Sequence, residues 1–178
     1  MFKTVKIKIF APSRNCIMRK AYLLIGGNLG DRKENLSKAV ELIIAHCGQL
    51  TSSSSLYETA AWGITDQPSF LNQALEISTS LNARQLIRKI LKIEKMMGRV
   101  RKEKLGPRVI DIDILFYEDE IHDLRFLKIP HPELQNRRFV LVPLAEINSG
   151  LQHPVLKKTV AELLEECPDN LEVKKIAD

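Results

Sequence analysis

Asp111 and Asp113 stand in the stretch GPRVIDIDILFY (106–117), inside what otherwise reads as a buried strand. Strand side chains alternate faces, so the two carboxylates point one way while Ile110, Ile112 and Ile114 point the other. That places the acids about 6–7 Å apart on one face of a sheet. Left alone they repel, and one of them holds its proton. A hard cation removes the repulsion, and Mg2+ favours carboxylate oxygens together with phosphate oxygens. Two ions about 3.5–4 Å apart could be bridged by such a pair. The D-x-D spacing alone also suits a solvated sheet face, a nuclease or a glycosyltransferase.

The neighbours narrow the chemistry. Arg99, Arg101, Lys102, Lys104 and Arg108 lie within fifteen residues ahead of the acids, and Arg137 and Arg138 follow them. Acids beside a basic loop suit a metal-bound polyphosphate, with metal on some oxygens and guanidinium forks on others. A solvated charge run is the plainer reading of the same loop. His131, in IPHPE, sits between two prolines that restrain its backbone. It could donate to a phosphate or serve as a structural hydrogen-bonder. Phe70 and Phe139 could stack on a flat ligand, or fill a core.

These residues need elements to hold them. A strand is expected over 21–27 (AYLLIGG), ending in glycines. Asp31 with Glu34 has capping-box spacing ahead of a helix to about Cys47, with Leu36, Val40, Leu42 and Ile43 as its stripe. Strands are expected over 52–59 and 70–80, the second with Leu71, Leu75 and Ile77 on one face. A second helix over 83–97 has Asn82 and Gln85 as its start and Leu86, Ile90, Ile93 and Met97 as its stripe. The strand at 109–117 follows, then a hairpin turn at 118–120 and a helix near 159–167. This β-α-β-β-α-β order predicts an α+β sandwich, with helices on one face of an antiparallel sheet, an added hairpin and a C-terminal helix.

Charge is unevenly placed. The net charge is +5, but residues 1–20 carry six Lys or Arg and no acid. The remainder has 21 basic and 22 acidic residues. The expected organisation is therefore a basic N-terminal arm over 1–20 and one domain over 21–178. A near-neutral domain with an acidic sheet face argues against a nucleic-acid-binding module. No apolar run nears the ~20 residues of a membrane span. Cys16, Cys47 and Cys167 form no CxxC pair, which fits a reducing, cytoplasmic compartment.

From about Ala21 onward the chain resembles the 6-hydroxymethyl-7,8-dihydropterin pyrophosphokinase family. The matching pieces are IGGNLGD (25–31), YETAAWG and DQPSFLN within 57–72, IEKMMGRVR (93–101), GPRVIDIDILFY (106–117), IPHPELQNRRFVLVPLAEI (129–147) and HP (153–154). The resemblance implies a ferredoxin-like fold and transfer of pyrophosphate from ATP to the pterin hydroxymethyl group, giving AMP in folate biosynthesis. It implies two Mg2+ ions on Asp111 and Asp113, with Arg99 and Arg108 as the catalytic pair. It also implies ATP contacts from Glu94, Arg101, Lys102, Arg108, His131 and Arg137. Pterin contacts would come from Thr59, Trp62, Phe70, Asn72, Asp111 and Phe139. The loops at 60–68 and 99–107 would close over the substrates. Many family members carry an aromatic residue where Leu105 stands here. The partners expected are the two small substrates, with no nucleic acid and no membrane, and the protein is expected to be a monomer.

Overall fold

The computed structural model describes residues 17–61, 66–99 and 106–177. The chain opens on β1 (Arg19–Gly27), which begins two residues inside the segment read as the arm. Asp31 caps α1 (Arg32–His46), its carboxylate accepting from the Glu34 amide. Then come β2 (Gln49–Ser53), β3 (Tyr57–Thr59) and β4 (Phe70–Thr79). Helix α2 (Ala83–Met96) starts on the full Asn82–Gln85 capping box, and β5 (Asp111–Tyr117) carries the two acids. A small hairpin, β6 (His122–Leu124) and β7 (Leu127–Ile129), is followed by a 3-10 turn (Leu134–Asn136). Helices α3 (Arg138–Asn148) and α4 (Val160–Glu165) and strand β8 (Val173–Lys175) complete the chain.

The main sheet has the order β5-β1-β4-β3-β8, with β2 also pairing β4. Each of its pairings is antiparallel. The strand expected over 52–59 is two strands. Ser54 divides them, using its hydroxyl to accept from the Ala74 amide. The hairpin expected directly after β5 is instead a separate two-stranded sheet, β6 with β7.

The expectation of helices on one face is corrected. Leu23 and Ile25 of β1, Leu71, Leu75 and Ile77 of β4, and Ile112 and Ile114 of β5 pack with α1 and α2. On the opposite face Tyr22, Leu24, Ala74 and Phe116 pack with Val140, Leu141 and Leu144 of α3 and with Val160 and Leu163 of α4. Burial on both faces requires a second helical layer, which α3 and α4 supply. A bulge in β5 opposite Tyr22 and Leu23 turns Leu115 and Phe116 to the same side, onto the α3 layer.

Candidate functional site

The α3 side of the sheet is apolar only over part of its length. Beyond Leu24 and Ala74 the register sets Asp111 of β5 opposite Gly26 of β1, and Gly26 opposite Asn72 of β4. Cross-strand partners share a face, so an acid, a bare glycine and an amide run in a row across three strands. Asp113 and Phe70 lie one step to either side on that face. The row floors a cavity of about 830 Å3, within the about 300–1,000 Å3 typical of small-molecule sites. Gly26 is required there, because a Cβ on it would come 2.3 Å from Asn72 Oδ1.

Asp111 is held by two arginines. Arg108 Nε lies 2.9 Å from its Oδ2, and Arg99 pairs with its Oδ1. Arg99 also pairs with Glu94, which is 3% exposed at the end of α2. Glu94 Oε1 accepts from the Ile112 amide at 3.0 Å. That amide lies between the two aspartates, on a strand at the sheet edge whose sole strand partner among the described residues is β1, so Glu94 satisfies a donor that none of these strands pairs. Expected among the ATP contacts, Glu94 lines the cavity and is engaged with this amide and Arg99.

Asp113 sits deeper. Burial, then the charges of Asp111 and Glu94, push its carboxyl up to about 7, while Arg99 and Arg137 oppose that shift. A carboxylate so strained by desolvation is a favourable place for a cation. Among the described residues no three His, Cys, Asp or Glu side chains gather as a closed metal cage. Two strand carboxylates with an open cavity before them fit Mg2+, which completes its shell with water and substrate phosphate.

His131 follows the cis Ile129–Pro130 bond, and its amide donates to the Leu115 carbonyl at the β5 bulge. The bulge thus fixes where the ring stands. Its Nδ1 accepts from the Glu133 amide at 3.3 Å, leaving Nε2 to carry the proton of the neutral ring. Burial, then Arg137, push this imidazole down to about 4, so it is a neutral donor at ordinary pH.

The other end of the cavity is aromatic. The Arg108 guanidinium lies 5.1 Å from the Phe70 ring centre, and that of Arg137 lies 5.9 Å from the Phe139 ring centre. Asn72, 3% exposed, donates to Thr59 Oγ1 at 2.9 Å. The structure therefore brings Thr59, Phe70, Asn72, Glu94, Arg99, Arg108, Asp111, Asp113, His131, Arg137 and Phe139 to one cavity. Trp62, Arg101, Lys102 and Leu105 lie outside the described residues.

Two groups of residues escaped the sequence reading. Ile87 and Leu91 of α2, with Arg125 and Phe126 at the β6–β7 tip, line the cavity beyond Glu94. A half-exposed Leu in a helix stripe carries no signal of its own in a sequence. The second is Asn28, 3% exposed. Its Oδ1 accepts from the Arg108 amide at 2.8 Å, and its own amide donates to the Arg108 carbonyl at 2.9 Å. Its Nδ2 donates to Gln67 Oε1 and to the Pro68 carbonyl. One buried side chain thus ties the ends of both predicted lid loops to β1. The NLGD turn was visible, but its partners, 40 and 80 residues away, were not.

Comparison with known proteins gives concordant results. The family model for 7,8-dihydro-6-hydroxymethylpterin-pyrophosphokinase (HPPK) matches residues 22–149. The 2-amino-4-hydroxy-6-hydroxymethyldihydropteridine pyrophosphokinase of Aquifex aeolicus is 43% identical over 145 residues, 82% of this chain and 90% of the relative. The protein of the same name from Methylorubrum extorquens is 48% identical over 136 residues, 75% of this chain and 85% of the relative. Among solved structures, wild-type Plasmodium falciparum HPPK-DHPS with pteroate superposes with a TM-score of 0.69 at 17% identity. It covers 87% of this chain, and this chain spans 43% of that longer one. At that identity the likeness speaks for the fold.

Proposed function

The chain belongs to the 7,8-dihydro-6-hydroxymethylpterin-pyrophosphokinase family and is a pyrophosphokinase of folate biosynthesis, and we propose that its chemistry takes place in the cavity beside β5. It transfers the pyrophosphoryl group of ATP to 6-hydroxymethyl-7,8-dihydropterin, leaving AMP. The single observation that carries the location is the row Asp111–Gly26–Asn72, which sets a carboxylate pair and an aromatic-flanked amide on one floor.

In this reading the pterin lies between Phe70 and Phe139, with Asn72 and Thr59 at its edge, and Trp62 is a further pterin contact. A flat bicycle wants two aromatic faces and a few fixed polar groups. The triphosphate lies over Asp111 and Asp113, gripped by Arg99, Arg101, Lys102, Arg108, His131 and Arg137. Glu94 holds the inner end of this array at the nucleotide side. Two Mg2+ ions held by the aspartates would neutralise the phosphate oxygens as charge develops on them. The pterin hydroxyl oxygen forms its bond to the β-phosphorus as the bond from that phosphorus to the AMP oxygen breaks. Asp111 accepts the hydrogen bond of that hydroxyl, whose proton is released to water as the new bond forms, and Arg99 and Arg108 move from the carboxylate to the phosphates. Positioning and charge neutralisation do the catalysis.

The strand order β5-β1-β4-β3, with α1 and α2 as crossovers, supports a ferredoxin-like arrangement. We further take residues 21–178, together with Arg19 and Lys20 at the start of β1, to be one domain behind a basic arm, acting as a cytoplasmic monomer. No helix among the described residues is long and apolar enough to cross a membrane. Incubation with ATP, Mg2+ and reduced hydroxymethylpterin should yield AMP in equal amount to pterin diphosphate. Release of ADP or inorganic phosphate instead would remove the reading.

A further inference from the structure

Helix α2 presents two adjoining stripes of opposite character. At 3.6 residues per turn, Ile87, Leu91 and Glu94 fall on one stripe, and all three line the cavity. Arg84, Lys95, Arg88 and Lys92 fall within the next arc of about 80°. All four are exposed, as is Lys89 further round, and the sole acid of the helix, Glu94, is buried. Among the described residues none of the five is in an ion pair. The stripe runs about 16 Å along the helix axis towards Arg99. Arg125 stands on the cavity wall beyond it. Residues 21–178 together are close to neutral, with 21 basic against 22 acidic groups. Four of these cations, Arg84, Arg88, Lys92 and Lys95, are therefore a local concentration of charge at the rim of the site.

We propose that the exposed basic face of α2, carried by Arg84, Arg88, Lys92 and Lys95, is a capture surface for the anionic nucleotide, drawing ATP to the cavity mouth before the arginines inside engage it. The proposal rests on ATP being the co-substrate. A rim of one charge sign raises the encounter rate of an oppositely charged ligand by about 10–1,000-fold at low salt, and screening removes the effect. The pterin carries no net charge and gains nothing from the stripe, which makes it an internal control. A nucleic acid would be the alternative occupant, but the stripe adjoins a cavity lined by Arg99, Arg108 and Arg137, and residues 21–178 as a whole are near neutral.

The test uses the full chain with Arg84→Glu, Arg88→Glu and Lys92→Glu combined, and a parallel triple Gln variant that preserves helix propensity. Stopped-flow association of a fluorescent, non-hydrolysable ATP analogue is followed from about 20 mM to about 500 mM salt. The Glu variant should associate about tenfold more slowly at low salt. The Gln variant should fall between it and the unmodified protein, and all three should converge at high salt. The dissociation rate, kcat at saturating ATP and KM for the pterin should stay within twofold. Equal association rates at low salt, a deficit that persists at high salt, or an equal loss for the pterin would each overturn the proposal. If the unmodified protein failed to bind the analogue, the reading of ATP as co-substrate would fall instead, so the two failures are distinguishable. Should the Glu variant not fold, the Gln variant alone decides by its salt slope.

Discussion

Asp113 is set against the stability of its own fold. Its carboxyl is raised to about 7 by burial and by Asp111 and Glu94, against 3.8 for the free side chain. A raised carboxyl binds a proton more tightly folded than unfolded, so its contribution falls as pH rises from about 4 to about 7 and is fully unfavourable above that. Asp113→Asn should therefore stabilise the metal-free protein at pH 8, by up to about 4 kcal/mol on the linkage of about 1.4 kcal/mol per pKa unit. At pH 4 the gain should vanish. Urea unfolding of both proteins at the two pH values, with chelator present, measures this, and an Asn variant whose advantage over the unmodified protein were no larger at pH 8 than at pH 4 would contradict it. The same variant should lose turnover by about three decades, the scale of losing one charge-stabilising contact in a transition state. Stability and activity part company at this residue.

Gly26 shows the reverse economy, where an absent side chain makes the site. A methyl there would meet Asn72 Oδ1 at 2.3 Å and the Leu71 carbonyl at 3.4 Å. The amide would have to leave Thr59 or the strands would have to part. Gly26→Ala should raise KM for the pterin at least about tenfold, the scale of losing one good hydrogen bond of about 1.4 kcal/mol. KM for ATP should change less, because Asp111 and the arginines are not displaced directly. Parallel titration of both substrates reads the split, and equal effects on the two would remove Asn72 from the pterin edge.

Among the elements, the short strand β3 depends on a helix far away in sequence. Glu146 of α3 accepts from the Ser55 amide at 2.9 Å, from the Ser55 hydroxyl at 2.8 Å and from the Tyr57 hydroxyl at 2.9 Å, and it pairs with Lys175 of β8. Although burial alone would raise it, these partners hold its carboxyl down at about 2. The depressed value means that the contribution is present above about 4.5 and is lost as pH falls through about 2. Glu146→Gln should cost about 1–3 kcal/mol at neutral pH, the scale of losing charge-assisted bonds. The difference between the two proteins should shrink below pH 4. Chemical unfolding at pH 7 and pH 3 checks the sign.

The legibility of each element follows where its information lies. Helix α2 was readable because its cap, Asn82 with Gln85, and its stripe of Leu86, Ile90 and Ile93 are all local. Strand β5 was readable because D-I-D-I alternates. Helix α3 was not, because RFVLVPLAEI is apolar on most sides and has Pro143 in its interior, which lacks the N–H that the Phe139 carbonyl would accept. Strand β8 was missed because VKK on a sheet edge has no apolar period, its lysines being what keeps an open edge from pairing further. The acid pair and its arginines were visible as types. That Arg99 joins Glu94 to Asp111, and that Asn28 holds both loop ends, depends on contacts across 5 to 80 residues, which no local pattern encodes.

Across the whole molecule the sheet separates the two halves of the site. Strand β5, with Asp111 and Asp113, forms one edge, and β3 with β8 forms the other. The C-terminal segment pairs with the second. Thr59 pairs with Val173 of β8, and the Ile176 amide donates to the Leu56 carbonyl. Asp169 Oδ2 accepts from the Arg138 amide at 3.0 Å, at the start of α3, where no side chain of the helix itself caps the end. Thr59 and Phe139 therefore both hang from residues 169–176, whereas the aspartates, Arg99 and Arg108 do not. Removing residues 168–178 should destabilise the fold by about 2–4 kcal/mol through the lost cap and edge pairing. In the folded fraction it should raise KM for the pterin severalfold and KM for ATP less, because among the described phosphate contacts Arg137 alone adjoins the lost cap. The single substitution Asp169→Ala should reproduce part of the pterin effect, and Asp169→Asn, which keeps an acceptor for the Arg138 amide, should restore most of it. If truncation weakened ATP and pterin alike, the two edges of the sheet would not be acting as separate supports.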